Sequence, residues 1–418
     1  MQDGGANANY SRVSALLDRV VSSKLLPGAS ILIHQSSKEV LYHEAGLSDI
    51  ASGDPVARDT IFRLFSMTKP ITAAAVMILV DDGVIRLEDE VTDYVPEFAE
   101  LDVYLGRDGD VVQSTPATPI HIKHLLTHTA GFSYWFYPNN PVAALYANDP
   151  GIGLHERWRF DTALGGLDEL TRSLARLPLV GQPGDRWHYS MSLEVAGIVI
   201  ERATGEPLDK FMKRRIFKPL MMNNTAFSVG SGQANRLASL YGPKAGGGIE
   251  LLESGGESPL LKTVPGLSGG GGLVSTIDDY SRFAEMLRRG GELDGRRVLS
   301  EGSARAMVTN QLNPNQLTEL PELAKWGLGG TGDGLGFGLG GAVVLDPPAN
   351  GVPAFRGEYS WGGASTTFWL DPENRLTVVF MTQLMPPSAG MLRDKLHLAV
   401  YGATGLARDA ADGNRVRI

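Results

Sequence analysis

Residues 66–80 read SMTKPITAAAVMILV. The run from Ile71 to Val80 is apolar or small, and it is followed by Asp81-Asp82-Gly83, a typical helix end with Gly83 as the cap. A proline is tolerated only in or near the first turn of a helix, so Pro70 predicts that a buried helix begins close to Ser66. Since residues three apart share one face of a helix, we expect the Ser66 hydroxyl and the Lys69 amine to meet.

A hydroxyl beside an amine predicts nucleophilic catalysis. Serine is a poor nucleophile until a base takes its proton, and a lysine withdrawn from water can act as that base because desolvation disfavours its charged form. The pattern S-x-x-K is common by chance, so other parts of the chain must support this interpretation.

Composition excludes several classes of protein. The 418 residues are 43% hydrophobic and carry a net charge of -9, and they contain no basic run, which argues against a nucleic-acid or anionic-membrane partner. The absence of cysteine excludes disulfides, thiolate catalysis and cysteine metal sites. No apolar run approaches the length of a membrane span, and the polar N-terminus has no signal core, so we expect a cytoplasmic protein, or a periplasmic one if a signal was removed.

Strand patterns occur at both ends of the chain. Near the N-terminus, a helical pattern over 10–26 precedes strand-like runs at 29–35 and 40–43, which are joined by a polar link and predict a hairpin. Further strands are predicted at 341–346, 364–370 and 375–382, before a last helix at about 388–402.

The middle of the chain is predicted to be mainly helical, with helices at 192–203 and 207–217, and a further helix follows at 276–289. The glycine-rich stretches 242–272 and 327–341 are expected to form long ordered loops. We therefore predict an α+β fold, with one antiparallel sheet built from both chain ends and flanked by helices. Residues 1–83 and 240–418 would form the sheet domain, 84–239 an inserted mostly helical domain, and the active site would lie between them.

Two more pieces complete a candidate site. Tyr189, in the segment Trp187-His188-Tyr189-Ser190, precedes a buried helix, and its phenol is placed to relay a proton. Trp361-Gly362-Gly363-Ala364 is expected at the start of a strand, where the glycines admit a substrate and the Ala364 N–H can donate to a developing oxyanion.

These pieces, in this order and spacing, resemble the serine β-lactamase and penicillin-binding-protein superfamily, and more closely its class C β-lactamase-like esterases, the family VIII carboxylesterases. The segments 124–131 (HLLTHTAG) and 269–275 (GGGGLVS) and Pro183-Gly184 match as well, so the resemblance covers roughly residues 10–405. It implies that Ser66 is the acylated nucleophile, Lys69 its base and Tyr189 a proton-transfer group, with the Ser66 and Ala364 amides as the oxyanion hole.

Two positions depart from the β-lactamase pattern. Met191 stands where those enzymes carry asparagine, and Trp361 stands where they carry a lysine that helps to hold the substrate carboxylate. Both changes remove polar recognition and add apolar surface, which favours a neutral ester over an anionic β-lactam. We therefore predict a carboxylesterase for short to medium acyl esters, without a cofactor, acting as a monomer or homodimer on a small-molecule ester.

Three alternatives remain open at this point. The same site could serve a β-lactamase or D-amino-peptidase, or an acyltransferase that uses an alcohol acceptor. A catalytically silent binding protein on the same fold is the third, although intact Ser66, Lys69 and Tyr189 argue against it.

An aromatic cluster in the inserted region has two interpretations. Tyr134-Trp135-Phe136-Tyr137, with Trp158, could line a substrate pocket together with Met191, Trp361, Gly362 and Gly363, or it could pack the core of the helical domain.

Three other patterns are weaker. Gly266-Leu267-Ser268-Gly269-Gly270 fits the G-x-S-x-G elbow, but no strand precedes it and four glycines cannot open a helix, so a glycine loop lining the site is favoured. Residues 327–332 fit G-x-G-x-x-G without a surrounding βαβ unit. His121, His124 and His128 recur at helical spacing without a carboxylate among them, so histidines bonded to the backbone are favoured over a zinc site, and no metal is expected.

Overall fold

The computed structural model describes residues 10–109, 111–137, 139–152, 166–317, 320, 332–363, 365–386 and 390–404. Its strands are, in chain order, β1 (Gly28–Gln35), β2 (Lys38–Asp49), β3 (Asp54–Pro55), β4 (Phe62–Arg63), β5 (Asp102–Asp108), β6 (Val111–Pro116), β7 (Leu240–Pro243), β8 (Ile249–Glu253), β9 (Val274–Ser275), β10 (Glu292–Leu293), β11 (Arg296–Arg297), β12 (Leu335–Phe337), β13 (Ala342–Val344), β14 (Tyr359–Gly363), β15 (Thr366–Asp371) and β16 (Leu376–Thr382).

The helices are α1 (Ser11–Ser22), α2 (Thr68–Asp81), α3 (Ile122–Leu126), α4 (Pro141–Asn148), α5 (Leu167–Arg176), α6 (Ser192–Thr204), α7 (Leu208–Met212), α8 (Ile277–Arg288), α9 (Glu301–Met307), α10 (Pro314–Leu317), α11 (Pro347–Asn350) and α12 (Gly390–Thr404). Within the described residues, no helix combines the length and the apolar character that crossing a membrane requires.

An eight-stranded antiparallel sheet joins the two chain ends. Its strand order is β12-β13-β14-β15-β16-β1-β2-β3, and the central pairing sets Ile31 of β1 opposite Phe380 of β16. The β1–β2 hairpin closes through Ser36 and Ser37, both at positive φ, the geometry of a tight two-residue turn. The predicted α+β fold with a sheet assembled from both termini is confirmed.

Side chains alternate between the two faces of this sheet, as the two-residue period of a strand requires. On one face, Ile31 and Phe380 pack with residues of α1 and α12. On the other face, Leu32 and Val379 join a large core that includes residues of α8, α2 and α6. This second core extends from the sheet into segment 84–239, whose assignment to a separate domain stays a prediction.

The helix predicted near Ser66 is α2, which follows a 3₁₀ turn at Phe65–Met67. It ends as predicted near Gly83, which has φ +70° and donates its N–H to the Val80 carbonyl at 3.0 Å. The Val84 N–H reaches the Leu79 carbonyl at 2.9 Å, and these two bonds define a Schellman ending. Every residue of α2 from Thr68 to Leu79 is buried, so packing surrounds the helix from its first turn almost to its end.

The structure differs from the sequence-based expectations at three places. The glycine-rich stretch 242–272, expected to be a loop, contains strand β8, which pairs with β7. The segment Trp361-Gly362-Gly363 closes strand β14 rather than opening the following strand, because the chain turns after Gly363 and pairs back as β15. Segment 84–239 also contains a β-hairpin, β5–β6, which turns at Gly109 with φ +59°.

Candidate active site

Ser66 lies in the 3₁₀ turn that enters α2, on a backbone held in an uncommon conformation. The preceding residue, Phe65, has φ +46°, a region that L residues rarely adopt and that often occurs next to functional groups. A hydrogen bond from the core stabilises this turn: the buried Tyr280 hydroxyl donates to the Met67 carbonyl at 2.9 Å. The Ser66 side chain is half-buried, just before the N-terminus of α2.

The structure brings Ser66, Lys69 and Tyr189 together. Lys69 Nζ lies 3.3 Å from Ser66 Oγ, and the Tyr189 hydroxyl donates to Ser66 Oγ at 2.6 Å. The helical spacing accounts for the first contact, while the second joins residues 123 positions apart. The serine oxygen therefore lies between an amine and a phenol, within reach of two groups that can carry its proton.

Lys69 is completely buried, and oxygen atoms surround its nitrogen. Nζ donates to the Gly270 carbonyl at 2.7 Å and to the Tyr134 hydroxyl at 3.0 Å. It also lies 4.8 Å from the centre of the Tyr189 ring, close enough for a cation–π contact. The glycine loop that contains Gly270 is tied to α2 by the Thr72 hydroxyl, which donates to the Gly269 carbonyl at 2.6 Å.

Glu194 is a buried carboxylate beside this lysine that the sequence analysis did not identify. It lies in the first turn of α6, and the Tyr134 hydroxyl donates to its carboxylate at 3.0 Å. Burial raises the pKa of Glu194, although the charge of Lys69 and hydrogen bonds from Tyr134 and Ser268 oppose that rise. One signal was available: Glu194 is the lone acid in the apolar first half of its helix, where a charge is costly unless it has partners.

Three contacts position Tyr189. The Tyr137 hydroxyl donates to the Tyr189 carbonyl at 2.8 Å, and the His128 ring lies 4.8 Å from the Tyr189 ring, centre to centre. The buried Trp361 ring lies 5.5 Å from the Tyr189 ring, centre to centre, and meets the Phe337 ring edge-on at 5.3 Å.

The end of β14 approaches the nucleophile closely. A Cβ atom added to Gly363 would lie 2.6 Å from the Ser66 backbone nitrogen and 2.7 Å from the Leu64 carbonyl oxygen, so only glycine fits here. Gly362 pairs with Thr367 in the β14–β15 ladder. Ala364, the second predicted oxyanion donor, lies outside the described residues, so its role stays a prediction.

The predicted substrate-binding residues differ in exposure. Tyr134 and Met191 have no exposed surface, whereas Trp135 is half-buried and its ring contacts that of Tyr134 at 5.3 Å. The hydrogen bonds of Tyr134 make it a neighbour of Lys69 as well as an apolar wall. Trp158 lies outside the described residues.

The weaker sequence patterns have structural explanations. Ser268 is buried, and its hydroxyl accepts the Gly271 N–H at 3.0 Å within a turn, as expected for a glycine loop. His121 contacts the Glu88 carbonyl through Nδ1 at 2.8 Å, and the Nδ1 atoms of His124 and His128 accept backbone N–H groups at 3.2 Å each. In the described part of the chain, no group of three histidine or acidic side chains is arranged to hold a metal ion. Of the G-x-G-x-x-G stretch, residues 327–331 lie outside the described ranges.

Comparison with known proteins identifies the family of the chain. The Beta-lactamase family model matches residues 13–402, so the chain belongs to the β-lactamase family. Protein Rv1367c of Mycobacterium tuberculosis is 37% identical over 385 residues, which cover 90% of this chain and 91% of that protein. Esterase EstB of Burkholderia gladioli is 33% identical over 411 residues, or 94% of this chain and 95% of that one.

A solved structure described as "EstCE1, a hydrolase with promiscuous acyltransferase activity" has the same fold. It superposes with a TM-score of 0.78 and 26% identity, and the match covers 94% of this chain and 98% of that chain.

Proposed function

We propose that this protein is a serine carboxylesterase that hydrolyses neutral esters of short to medium acyl chain length through a Ser66 acyl-enzyme. The observation that carries the proposal is the position of Ser66 Oγ between Lys69 Nζ at 3.3 Å and the Tyr189 hydroxyl at 2.6 Å. The similarity to Esterase EstB supports an ester as the substrate.

The proposed acylation begins with attack of Ser66 Oγ on the ester carbonyl carbon, while Lys69 takes the serine proton. The developing oxyanion is stabilised by the Ser66 N–H and, we propose, by the Ala364 N–H. When the carbon–oxygen bond to the alcohol breaks, Tyr189 donates its phenol proton to the leaving oxygen.

Deacylation returns both protons to their sources. The Tyr189 phenolate takes a proton from water as the hydroxide attacks the acyl carbon, and Lys69 gives its proton back to the departing Ser66 oxygen. The products are a carboxylic acid and an alcohol, and no cofactor is needed because the two side chains carry the protons.

Trp361 supports a neutral substrate over an anionic one. It occupies the position where β-lactamases carry a lysine, and its buried indole offers no charge to a carboxylate. A kinetic panel of aryl esters of increasing acyl length, measured beside a chromogenic cephalosporin, tests the proposal. We expect ester hydrolysis to exceed cephalosporin hydrolysis and to be lost in Ser66→Ala. A cephalosporin hydrolysed far faster than every ester, or normal ester turnover by folded Ser66→Ala, would refute it.

Acyl transfer to an alcohol is a second candidate, favoured by the description of EstCE1 as a hydrolase with promiscuous acyltransferase activity. The acyl-enzyme would be the same, and only the acceptor would change from water to an alcohol. Analysis of the products formed with and without an added primary alcohol separates the two: a new ester indicates transfer, and the free acid alone indicates hydrolysis.

A further inference from the structure

Three oxygens lie within hydrogen-bond distance of Lys69 Nζ, which suits the three N–H groups of an ammonium and also the two N–H groups and lone pair of the neutral amine that a base requires. Such an amine has two N–H groups and one lone pair in a tetrahedral arrangement. Two oxygens, the Gly270 carbonyl at 2.7 Å and the Tyr134 hydroxyl at 3.0 Å, can accept the two N–H groups. The remaining neighbour is Ser66 Oγ at 3.3 Å. If both N–H groups are used in this way, the lone pair is left for the serine proton.

This arrangement depends on where the proton of Tyr134 lies. A phenol has one O–H donor, and if Tyr134 donated it to Lys69 it would occupy the lone pair that has to receive the Ser66 proton. The Glu194 carboxylate prevents this because its two oxygens lie 3.0 and 3.3 Å from the Tyr134 hydroxyl and an ionised carboxylate only accepts hydrogen bonds.

Glu194 itself is held rigidly. Its side chain is 1% exposed and lies in the first turn of α6, where its own backbone N–H and the Ser268 hydroxyl also bond to the carboxylate. A Cβ atom on Gly270 would collide with the Glu194 carboxylate, at 2.2 Å, so the glycine loop closes directly over it. The Gly270 loop and the Tyr134 hydroxyl therefore both contact the same carboxylate.

We propose that Glu194 is a positioning residue for the catalytic base: by accepting the hydrogen bond of the Tyr134 hydroxyl, it directs the lone pair of Lys69 toward Ser66, and its negative charge stabilises the lysine once it has taken the Ser66 proton. This inference rests on the proposed function, because it assumes that Lys69 is the base. Tyr134 then links the acid and the lysine. The sequence pattern had suggested a different place for this tyrosine, in a substrate pocket or in the core.

The other groups that face Lys69 do not supply this charge. Tyr189 contacts it through its ring, and His128 is buried with a pKa lowered well below its usual range by desolvation and by the charge of Lys69. Tyr134 is held in its neutral form, because burial and Glu194 raise its pKa well above 10. Among the described neighbours, Glu194 is thus the group whose charge opposes that of protonated Lys69.

The test uses a neutral organophosphonate that labels Ser66, with its second-order rate constant measured from pH 5 to 10 in wild type and Glu194→Gln. Glutamine keeps the size of the side chain but removes the charge. We expect the plateau rate constant to fall about tenfold or more. The acid limb of the profile is expected to move to lower pH, because removal of the carboxylate charge makes protonation of the base less favourable. Glu194→Asp, which retains the charge, is expected to restore the position of the acid limb.

A double-mutant cycle with Tyr134→Phe identifies the route of the effect. If Glu194 acts through the phenol, Glu194→Gln is expected to cost much less in the Tyr134→Phe background than alone. Glu201→Gln is the matched control, since Glu201 lies on the same helix and its carboxylate accepts the Leu208 N–H at 2.8 Å, away from Lys69. Its profile is expected to follow wild type.

Two results would overturn the inference: a Glu194→Gln profile equal to wild type, or a lower plateau with an unmoved acid limb, which indicates loss of packing alone. Failure of the proposed function gives a different result. In that case wild type itself is not labelled at Ser66, or is labelled but hydrolyses no ester, whatever residue stands at 194.

Discussion

Substitution of Gly363 by alanine tests how closely strand β14 must approach the nucleophile. The new Cβ atom would lie 2.6 Å from the Ser66 nitrogen, 2.7 Å from the Leu64 carbonyl oxygen and 3.1 Å from the Phe65 Cβ atom. The two shortest of these contacts are with backbone atoms, so no side-chain rotation can relieve them. The φ of Gly363 is not in the left-handed region, and the cost of the alanine is therefore steric rather than conformational.

The size of the effect follows from these distances. Real Cβ atoms essentially never approach closer than 3.0 Å, and ordinary contact begins at 3.4 Å, so the strand and the Ser66 turn must separate by 0.4 to 0.8 Å. A displacement of about 1 Å in an active site can cost roughly a hundredfold in rate. Loss of one oxyanion-hole donor costs about a hundredfold or more, or ~2.7 kcal/mol of transition-state stabilisation. We therefore expect kcat/KM of Gly363→Ala to fall by one to two orders of magnitude, roughly.

The assay is hydrolysis of the best aryl ester from the substrate panel, with urea unfolding of the same samples. Overpacking is expected to cost about 1–3 kcal/mol of stability, so the protein should still fold. Gly106→Ala is the control, because Gly106 is also in a strand and a Cβ there meets nothing within 4 Å. Wild-type kcat/KM in folded Gly363→Ala would refute the inferred contact between β14 and Ser66.

Three further predictions concern proton transfer, pH and buried charge. Tyr189→Phe removes the hydroxyl 2.6 Å from Ser66 Oγ but keeps the packed ring, so kcat should fall about a hundredfold or more in the ester assay, with stability little changed. Burial raises the pKa of Asp371 to about 6, above about 3.9 in the unfolded chain. Stability should therefore fall as pH rises from about 4 to 6, by at most about 3 kcal/mol, and urea unfolding of Asp371→Asn should lack this fall. Glu253→Ala leaves the buried Arg63 guanidinium without its carboxylate and should cost about 3 kcal/mol in the same unfolding assay.

Each of these predictions has a control or an excluded outcome. Full esterase activity in Tyr189→Phe would remove the phenol from the mechanism. Parallel pH-stability curves for wild type and Asp371→Asn would show that this acid is not the source of the slope. For the buried pair, the control is Glu169→Ala, which breaks an exposed contact with Arg172 and should cost less than about 1 kcal/mol. Equal losses at positions 253 and 169 would contradict the assigned role of burial.

Local patterns predicted the parts of the fold that depend on short stretches of chain. The apolar run after Ser66 and the glycine at position 83 defined α2 and its end, because helix packing and capping depend on neighbouring residues. Strand patterns at both termini predicted the shared sheet, which the pairing of β1 with β16 confirms. The hairpin β5–β6 was not predicted, since its exposed strands carry many polar residues and lack a clear apolar alternation.

Strand β14 was not predicted, and its last residues, Trp361-Gly362-Gly363, were expected at the entry to the following strand. Two consecutive glycines interrupt a strand pattern, and Gly362-Gly363 therefore suggested the start of a strand rather than its end. In the structure these glycines stay within the ladder because the chain must pass the Ser66 turn without side chains. Close approach of two backbones is a tertiary property, and no local pattern contains it.

The candidate site shows where the limit of sequence reasoning lies. The spacing of Ser66 and Lys69 predicts their contact because both lie on one helical turn. The other partners of Lys69 come from a glycine loop 201 positions later and from a tyrosine 65 positions later, and the spacing rules of helices and strands do not relate such distant segments. A buried acid is easier to foresee, since Glu194 interrupts an otherwise apolar helix start and an ionised group withdrawn from water requires donors close by. An isolated acidic residue within a predicted buried helix is therefore a reason to search for a hydroxyl or a cation that faces it, even when the spacing of the motif does not point there.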